Sequence, residues 1–294
     1  MKKSLLLPAV ALSACAALLL AGCTNSETAE LAATSEGAGA VSSDVRSWAE
    51  IEQSGVLHVG TITDYPPNET KTPEGEPTGW AVELVAEIAS ELGLEVEYQE
   101  LLFDSILPRI EGGAIDIGVG SFTDTVERQQ VVDFVNYYSA GSLWAASSGA
   151  SIDPENACGK TIAVMKDGTQ HLTELPARND ACVAAGKEPI EIMPFTGQPE
   201  VTTAVVQGQA DAFSADSPVT IEAVDALGGE IEIVGAMFDT APYGFPVAKG
   251  SDIAEHIRAA LQTLIDDGRY LALLEKYHSE SGAITEASIN IAAN

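Results

Sequence analysis

Residues 110–128 read IEGGAIDIGVGSFTDTVER, and everything about the fold depends on how this stretch is divided. Gly112 and Gly113 close a helical pattern, Ile115, Ile117 and Val119 alternate as a buried strand, and Ser121 and Thr123 bring polar groups to the strand's end. Asp124 fits a helix N-cap and Glu127 its reciprocal partner three residues on, so the spacing predicts a capping box with Arg128 in the first turn of a helix. A helix start already carries partial positive charge, so an arginine there points to an anion expected nearby. Residues 206–218, VQGQADAFSADSP, repeat the plan: a helix end, a strand over 210–214, and Asp216 just beyond it.

Working outward, strand and helix patterns alternate. Residues 56–62 read as a strand. Residues 80–92 read as a helix with Val82, Val85, Ile88, Ala89 and Leu92 on one face, stopped by Gly93. Residues 94–98 form a strand, 103–111 a short helix and 115–119 the next strand, a βαβαβ series. A second series follows, with strands at 161–165, 190–193, 210–214 and 231–234 separated by helices at 172–185, 200–207 and 218–227. Two helices, 253–265 and 270–277, close the chain. This is an α/β fold with two copies of one open plan. In such sheets ligands sit beyond the carboxyl ends of strands, where Ser121–Arg128 and Ser214–Ser217 lie.

The 294 residues hold 14 Lys and Arg against 44 Asp and Glu, a formal charge of −30, with 46% apolar residues. That balance argues against nucleic acid or an anionic membrane surface as partner. It says little about a small ligand, since salt screens fields beyond about 8 Å. Lys2 and Lys3, an apolar run over 5–20 and then Ala21-Gly22-Cys23 read as an export signal over 1–22. The run, broken by Pro8 and Ser13, is too short to prefer spanning a bilayer. Leu20-Ala21-Gly22-Cys23 resembles a lipobox, which makes Cys23 the candidate lipidated residue; a plain signal peptide is the alternative. Without the two leader lysines the balance is 12 basic against 44 acidic, or −32. Residues 24–45, rich in Ser, Thr, Ala, Gly and Glu, read as a flexible tether. Cys158 and Cys182 remain as a pair; in an exported chain a disulfide is the first reading and two free thiols the other. Neither has His or Cys at metal-ligand spacing, and no metal or cofactor is expected.

Arg128 with the hydroxyls of Ser121 and Thr123 offers a guanidinium fork and neutral donors, a set that suits a carboxylate. The alternative is a surface pair with Glu127 or Asp124. Asp216 is either an N-cap or an anion facing the same concavity. Together a cation on one series and an anion on the other fit a zwitterion such as an α-amino acid.

The chain here resembles the bacterial extracellular solute-binding proteins of polar amino acid ABC transporters, family 3. The resemblance runs from about Gly55 to His278, through GVLHVGTITDYPPNE, PTGWAVELVAEIASELGL, FDSILPRIEGGAIDIGVGSFTDTVER with VVDFVNYY, ADAFSADSP and DDGRYLALLEKY. NACGKTIAVMKDGTQ also resembles a branch of the family that carries a cysteine pair at these positions. It implies a periplasmic-binding-protein-like type II fold. Lobe 1 would comprise 46–140 plus 244–294 and lobe 2 residues 141–243, joined by a two-crossing hinge near Ser139–Ser142 and Pro242–Gly244. It implies further that Arg128 holds the ligand α-carboxylate, with Ser121 and Thr123 donating to it or accepting from the amino group, and that Asp216 accepts from the α-ammonium. Thr169 would add to the carboxylate site, and Tyr65 and Phe103 would wall the ligand side chain; taken alone, Tyr65 reads equally as core and Phe103 as a helix-start staple. Four departures stand out: Asp167-Gly168-Thr169 is shifted by one residue, Ala81 replaces a common aspartate, Asn68 an aromatic, and Asp124 an apolar residue.

The implied protein is a monomeric, lipid-anchored, extracytoplasmic binding protein that serves an ABC permease. The rival classes are an enzyme on the same fold, such as a cyclohexadienyl dehydratase, and a ligand-sensing receptor component. The four histidines are scattered and no His-Glu-x-x-His or Gly-x-Ser-x-Gly occurs, so an enzyme is not expected. Glu69 is the one acid to watch for such chemistry, and it reads as solvated.

Overall fold

The computed structural model describes residues 45–292; the export signal, Cys23 and nearly all of the tether lie outside the described residues. The first series comprises α1 (Trp48–Ser54), β1 (Val56–Thr61), the small hairpin β2 (Thr70–Lys71) and β3 (Pro77–Thr78), α2 (Trp80–Glu91), β4 (Glu95–Glu100), α3 (Phe103–Glu111) and β5 (Ile117–Val119). A long strand β6 (Val132–Ser147) leads to the second series: β7 (Thr161–Met165), α4 (Leu175–Ala184), β8 (Glu191–Phe195), α5 (Gln198–Val206), β9 (Ala212–Asp216) and α6 (Ser217–Ala226). The long β10 (Ile231–Ala248), α7 (Ile253–Asp266), α8 (Arg269–Lys276) and β11 (Ser288–Ile289) follow.

The main sheet runs β4-β1-β5-β10-β6-β9-β7-β8, with β11 paired to β6. Within it the triplets β4-β1-β5 and β8-β7-β9 are each all-parallel and arranged alike, second strand, first strand, third strand. The two series are therefore two copies of one plan, as their sequences suggest. Residues 117–119 and 162–165 are buried throughout, as parallel strands covered on both faces require. The outer strands β4 and β8 keep exposed positions at the sheet's edges.

The antiparallel ribbon of β6 and β10 is what the sequence did not disclose. The expected strand at 231–234 is the start of an 18-residue strand, and 132–147 forms a second long one. The first half of β6 pairs with the last half of β10 and with β11, while its second half pairs with β9. Register shifts interrupt the ribbon between Val234 and Phe238, Phe238 and Ala241, and Tyr243 and Gly244.

The expected apolar face of α2 is buried at Val82, Val85, Ile88 and Ala89. It packs with Leu57, Val59, Ile117 and the inner faces of α7 and α8 in one core, so the closing helices lie on the first series. A separate core of Trp144, Ile162, Val164, Leu175 and Cys182 serves the second. Cys158 and Cys182 form a disulfide across 24 residues, which ties the segment before β7 to α4. A loop of that length is worth roughly 3 kcal/mol. Replacing both cysteines with serine is expected to lower the melting temperature by about 6–12 °C at roughly 2–4 °C per kcal/mol. Scanning calorimetry checks this, and an unchanged transition refutes it.

Candidate functional site

The two series bring Tyr65, Phe103, Ser121, Thr123, Arg128, Thr169 and Asp216 to the wall of one cavity. These seven come from loops after β1, β5 and β7, the start of α3 and the end of β9, the strand ends where open sheets place ligands. The walls lie close together: the void between them is about 10 Å³, room for about one water. Two recesses open beside it. One of about 520 Å³ shares Phe103, Arg128 and Thr169 and extends over Leu107, Val131 and Leu172. Another of about 390 Å³ shares Thr123, Thr169 and Asp216.

Arg128 does not sit in a helix. Residues 124–127 turn irregularly and Arg128–Gln130 form a single 3-10 turn, because β6 begins at Val132 and leaves no length for an α-helix. Asp124 therefore caps nothing. Its buried carboxylate accepts from Gln129 Nε2 at 2.6 Å and Asn136 Nδ2 at 2.9 Å, and from the backbone N–H groups of Ile291 and Ala292 at 3.0 and 3.3 Å. Thr125 Oγ1 accepts from the Arg128 N–H at 3.2 Å. The departure at Asp124 thus fastens the chain after β11 to the loop after β5 without lining the cavity.

Arg128 pairs with neither Asp124 nor Glu127. Its Nη1 donates to Thr123 O at 2.9 Å and its Nη2 to Asp167 O at 3.2 Å, so the guanidinium already bridges the two series. The planar group lies 5.5 Å from the ring centroids of both Phe103 and Phe122, which stack at 4.3 Å. Burial lowers its pKa to about 10 against the opposing pull of Asp216, so it stays protonated at neutral pH. Two of its five N–H donors are used, which leaves a fork free.

Asp216 occupies the N-cap position of α6 but its side chain makes no cap bond. Its Oδ2 accepts from Tyr65 Oη at 2.8 Å and its Oδ1 from Gln170 Nε2 at 2.8 Å. Burial raises its pKa, while hydrogen bonding from Tyr243, Tyr65 and Gln170 and the charge of Arg128 pull it back. Gln170, which also donates to Ser142 Oγ at 3.0 Å, lines the cavity beside Thr169. Sequence reasoning missed it, and the π-helical turn Gln170–Glu174 that aims it inward leaves no simple periodic signature.

The expectation of a solvated Glu69 is wrong. The residue is 0% exposed, held by the small hairpin it enters, and both carboxylate oxygens face Ser121 Oγ at 3.0 and 3.1 Å. Burial drives its pKa well above the usual range, Ser121 opposes the shift, and the charges of Asp216 and Asp64 add to it. The native state therefore holds a proton that the unfolded state releases, and stability falls as pH rises above about 4. Glu69→Gln is expected to raise the melting temperature at pH 7 by about 2–4 °C per kcal/mol of strain relieved, with the gain vanishing near pH 4. Melts at both pH values check this, and no gain at pH 7 refutes it.

Comparison with known proteins identifies the family. Residues 57–280 match the family described as bacterial extracellular solute-binding proteins, family 3. The chain is 40% identical over 242 residues to the arginine-binding protein ArgT of Corynebacterium glutamicum, covering 82% of this chain and 80% of that one. It is 30% identical over 256 residues to the L-arginine-binding protein of Pseudomonas aeruginosa, covering 82% and 95%. Among solved structures, an ancestral arginine-binding protein bound to arginine superposes with a TM-score of 0.69 at 30% identity, over 76% of this chain and 98% of that one.

Proposed function

Because the chain belongs to the bacterial extracellular solute-binding proteins of family 3, we propose that it captures a cationic amino acid, L-arginine foremost, and presents it to an ABC importer outside the cytoplasmic membrane. The observation that carries this reading is that Arg128 and Asp216, opposite charges from different series, share one cavity wall. The free fork of Arg128 takes the α-carboxylate, with Thr123 and Thr169 alongside. Asp216, with acceptor sites left beyond Tyr65 and Gln170, takes the α-ammonium. Tyr65 and Phe103 flank the side chain.

The reading treats residues 46–140 with 244–294 as one lobe and 141–243 as the other. The lobes part to admit ligand and close because only the closed form lets both contact it. Contacts across that boundary, Tyr65 to Asp216 and Arg128 to Asp167, supply the closed geometry. Cys23, lipidated, would hold the protein at the outer face of the membrane as a monomer. The function is binding without turnover, in keeping with relatives named for what they bind.

Calorimetric titration with the twenty amino acids tests the reading. Arginine is expected to bind most tightly, with lysine or histidine next. Absence of binding by any amino acid, or preference for an acidic one, overturns it.

A further inference from the structure

Arg128 stands on a turn too short to hold itself. Residues 128–130 form a single 3-10 turn, β6 begins at Val132, and one turn makes too few backbone bonds to persist unaided. Thr125 gives local help, accepting from the Arg128 N–H with its hydroxyl and from the Gln129 N–H with its carbonyl. The remaining support comes through Asp124. Its Oδ1 accepts from Gln129 Nε2 at 2.6 Å, which closes residues 124–129 into a ring with Arg128 inside it. Its Oδ2 is held from outside by Asn136 Nδ2 on β6 and by the backbone N–H groups of Ile291 and Ala292. The Asp124 N–H donates to Pro242 O on β10 at 2.9 Å. The ring, β6, β10 and the chain after β11 therefore meet at this one residue. Thr123, just before it, presents the carbonyl that accepts from Arg128 Nη1 at 2.9 Å, so fixing Asp124 fixes that carbonyl too.

Asp124 is 2% exposed, and all four donors to its carboxylate are neutral. Burying a carboxylate without a cation is costly, and only a full set of hydrogen bonds offsets it. Asn136 bears part of that cost: its Nδ2 meets Asp124 while its Oδ1, also buried, has no partner. The reverse amide orientation would set two acceptor oxygens against each other. We infer that Asp124 is a positioning residue: from outside the cavity it sets where the Arg128 guanidinium points. This rests on the amino acid reading above and extends it to a residue that no ligand touches. Asp124 lines neither the cavity nor the recess of about 520 Å³ beside it, so any effect it has on binding passes through its neighbours.

L-Arginine affinity is measured by titration calorimetry in wild type, Asp124→Ala, Asp124→Asn, Arg128→Ala and the double variant Asp124→Ala/Arg128→Ala, each with its melting temperature. Asp124→Ala is expected to lose at least about fivefold in affinity while still folded at the titration temperature. Asp124→Asn keeps an oxygen for the three donors at Oδ2, and its new amide meets Gln129 once that side chain turns its own oxygen inward. It should stay within about twofold of wild type. In the Arg128→Ala background, Asp124→Ala should cost less than about twofold more, because the group it positions is gone. Unchanged affinity in Asp124→Ala, no recovery in Asp124→Asn, or losses that multiply in the double variant overturn the inference and leave amino acid binding intact. A wild type that binds no amino acid overturns the reading beneath it. Should Asp124→Ala fail to fold, a chain ending at Asn290 keeps Asp124 but removes two of its donors. It is combined with Arg128→Ala in the same way, with a loss of at least about threefold expected alone and the same multiplying losses counting against the inference.

Discussion

Arg128→Ala is expected to reduce affinity for L-arginine by at least tenfold, and by about a hundredfold if two charge-assisted bonds to the carboxylate are lost. Such bonds contribute about 1.5–3 kcal/mol each, and every 1.4 kcal/mol is a factor of ten. The truncation removes more than a ligand contact, since the guanidinium also ties Thr123 O to Asp167 O across the cavity. Arg128→Lys isolates the fork from the charge: the ammonium keeps the sign but not the paired geometry, so it should recover only part of the loss. Titration calorimetry on both variants decides it. Unchanged affinity in Arg128→Ala removes the carboxylate assignment.

Asp216→Asn carries the second large effect, a loss of about ten- to a hundredfold, because the amide keeps the shape but withdraws the charge that meets the ammonium. The pH dependence has a definite sign. Burial raises the Asp216 carboxyl above its ordinary value of about 4, so as pH falls through the raised value the group protonates and the ammonium loses its partner. Wild-type affinity should therefore rise with pH from about 4 toward neutrality. Arg128 stays charged and Tyr65 and Tyr243 stay neutral throughout. In Asp216→Asn the profile should flatten. A profile as steep as wild type would place the titrating group elsewhere.

How far the sequence reveals this molecule differs from element to element. The two series were legible because strand and helix periods alternate clearly, and helix α3 and strand β7 fall where their patterns end. Seven scattered residues converge because strand ends are where such sheets bind, so a rule of topology substituted for knowledge of contacts. The ribbon of β6 and β10 was not legible: a run such as that from Val132 to Ser147, buried on nearly every residue, carries no alternation and does not name its partner. Asp124 misled because Asp-x-x-Glu reads the same whether or not room for a helix follows. Glu69 misled because burial of a polar side chain is decided by distant parts of the chain. Nothing near Glu69 announces that Ser121, 52 residues on, will cover it.

On the two-lobe reading proposed above, the register shifts where β6 and β10 run together would also make affinity adjustable from outside the ligand's reach. A two-stranded strap with paired ladders on both sides of its irregular stretch would bend more readily than it would slide. Its stiffness enters the apparent dissociation constant through the fraction of molecules already shut. Gly141 lies within that stretch, where an added methyl group would press on Met237 and the Phe238 carbonyl. Substituting it would reset the resting curvature, and with it how long cargo is retained, while every group that touches the cargo stays the same.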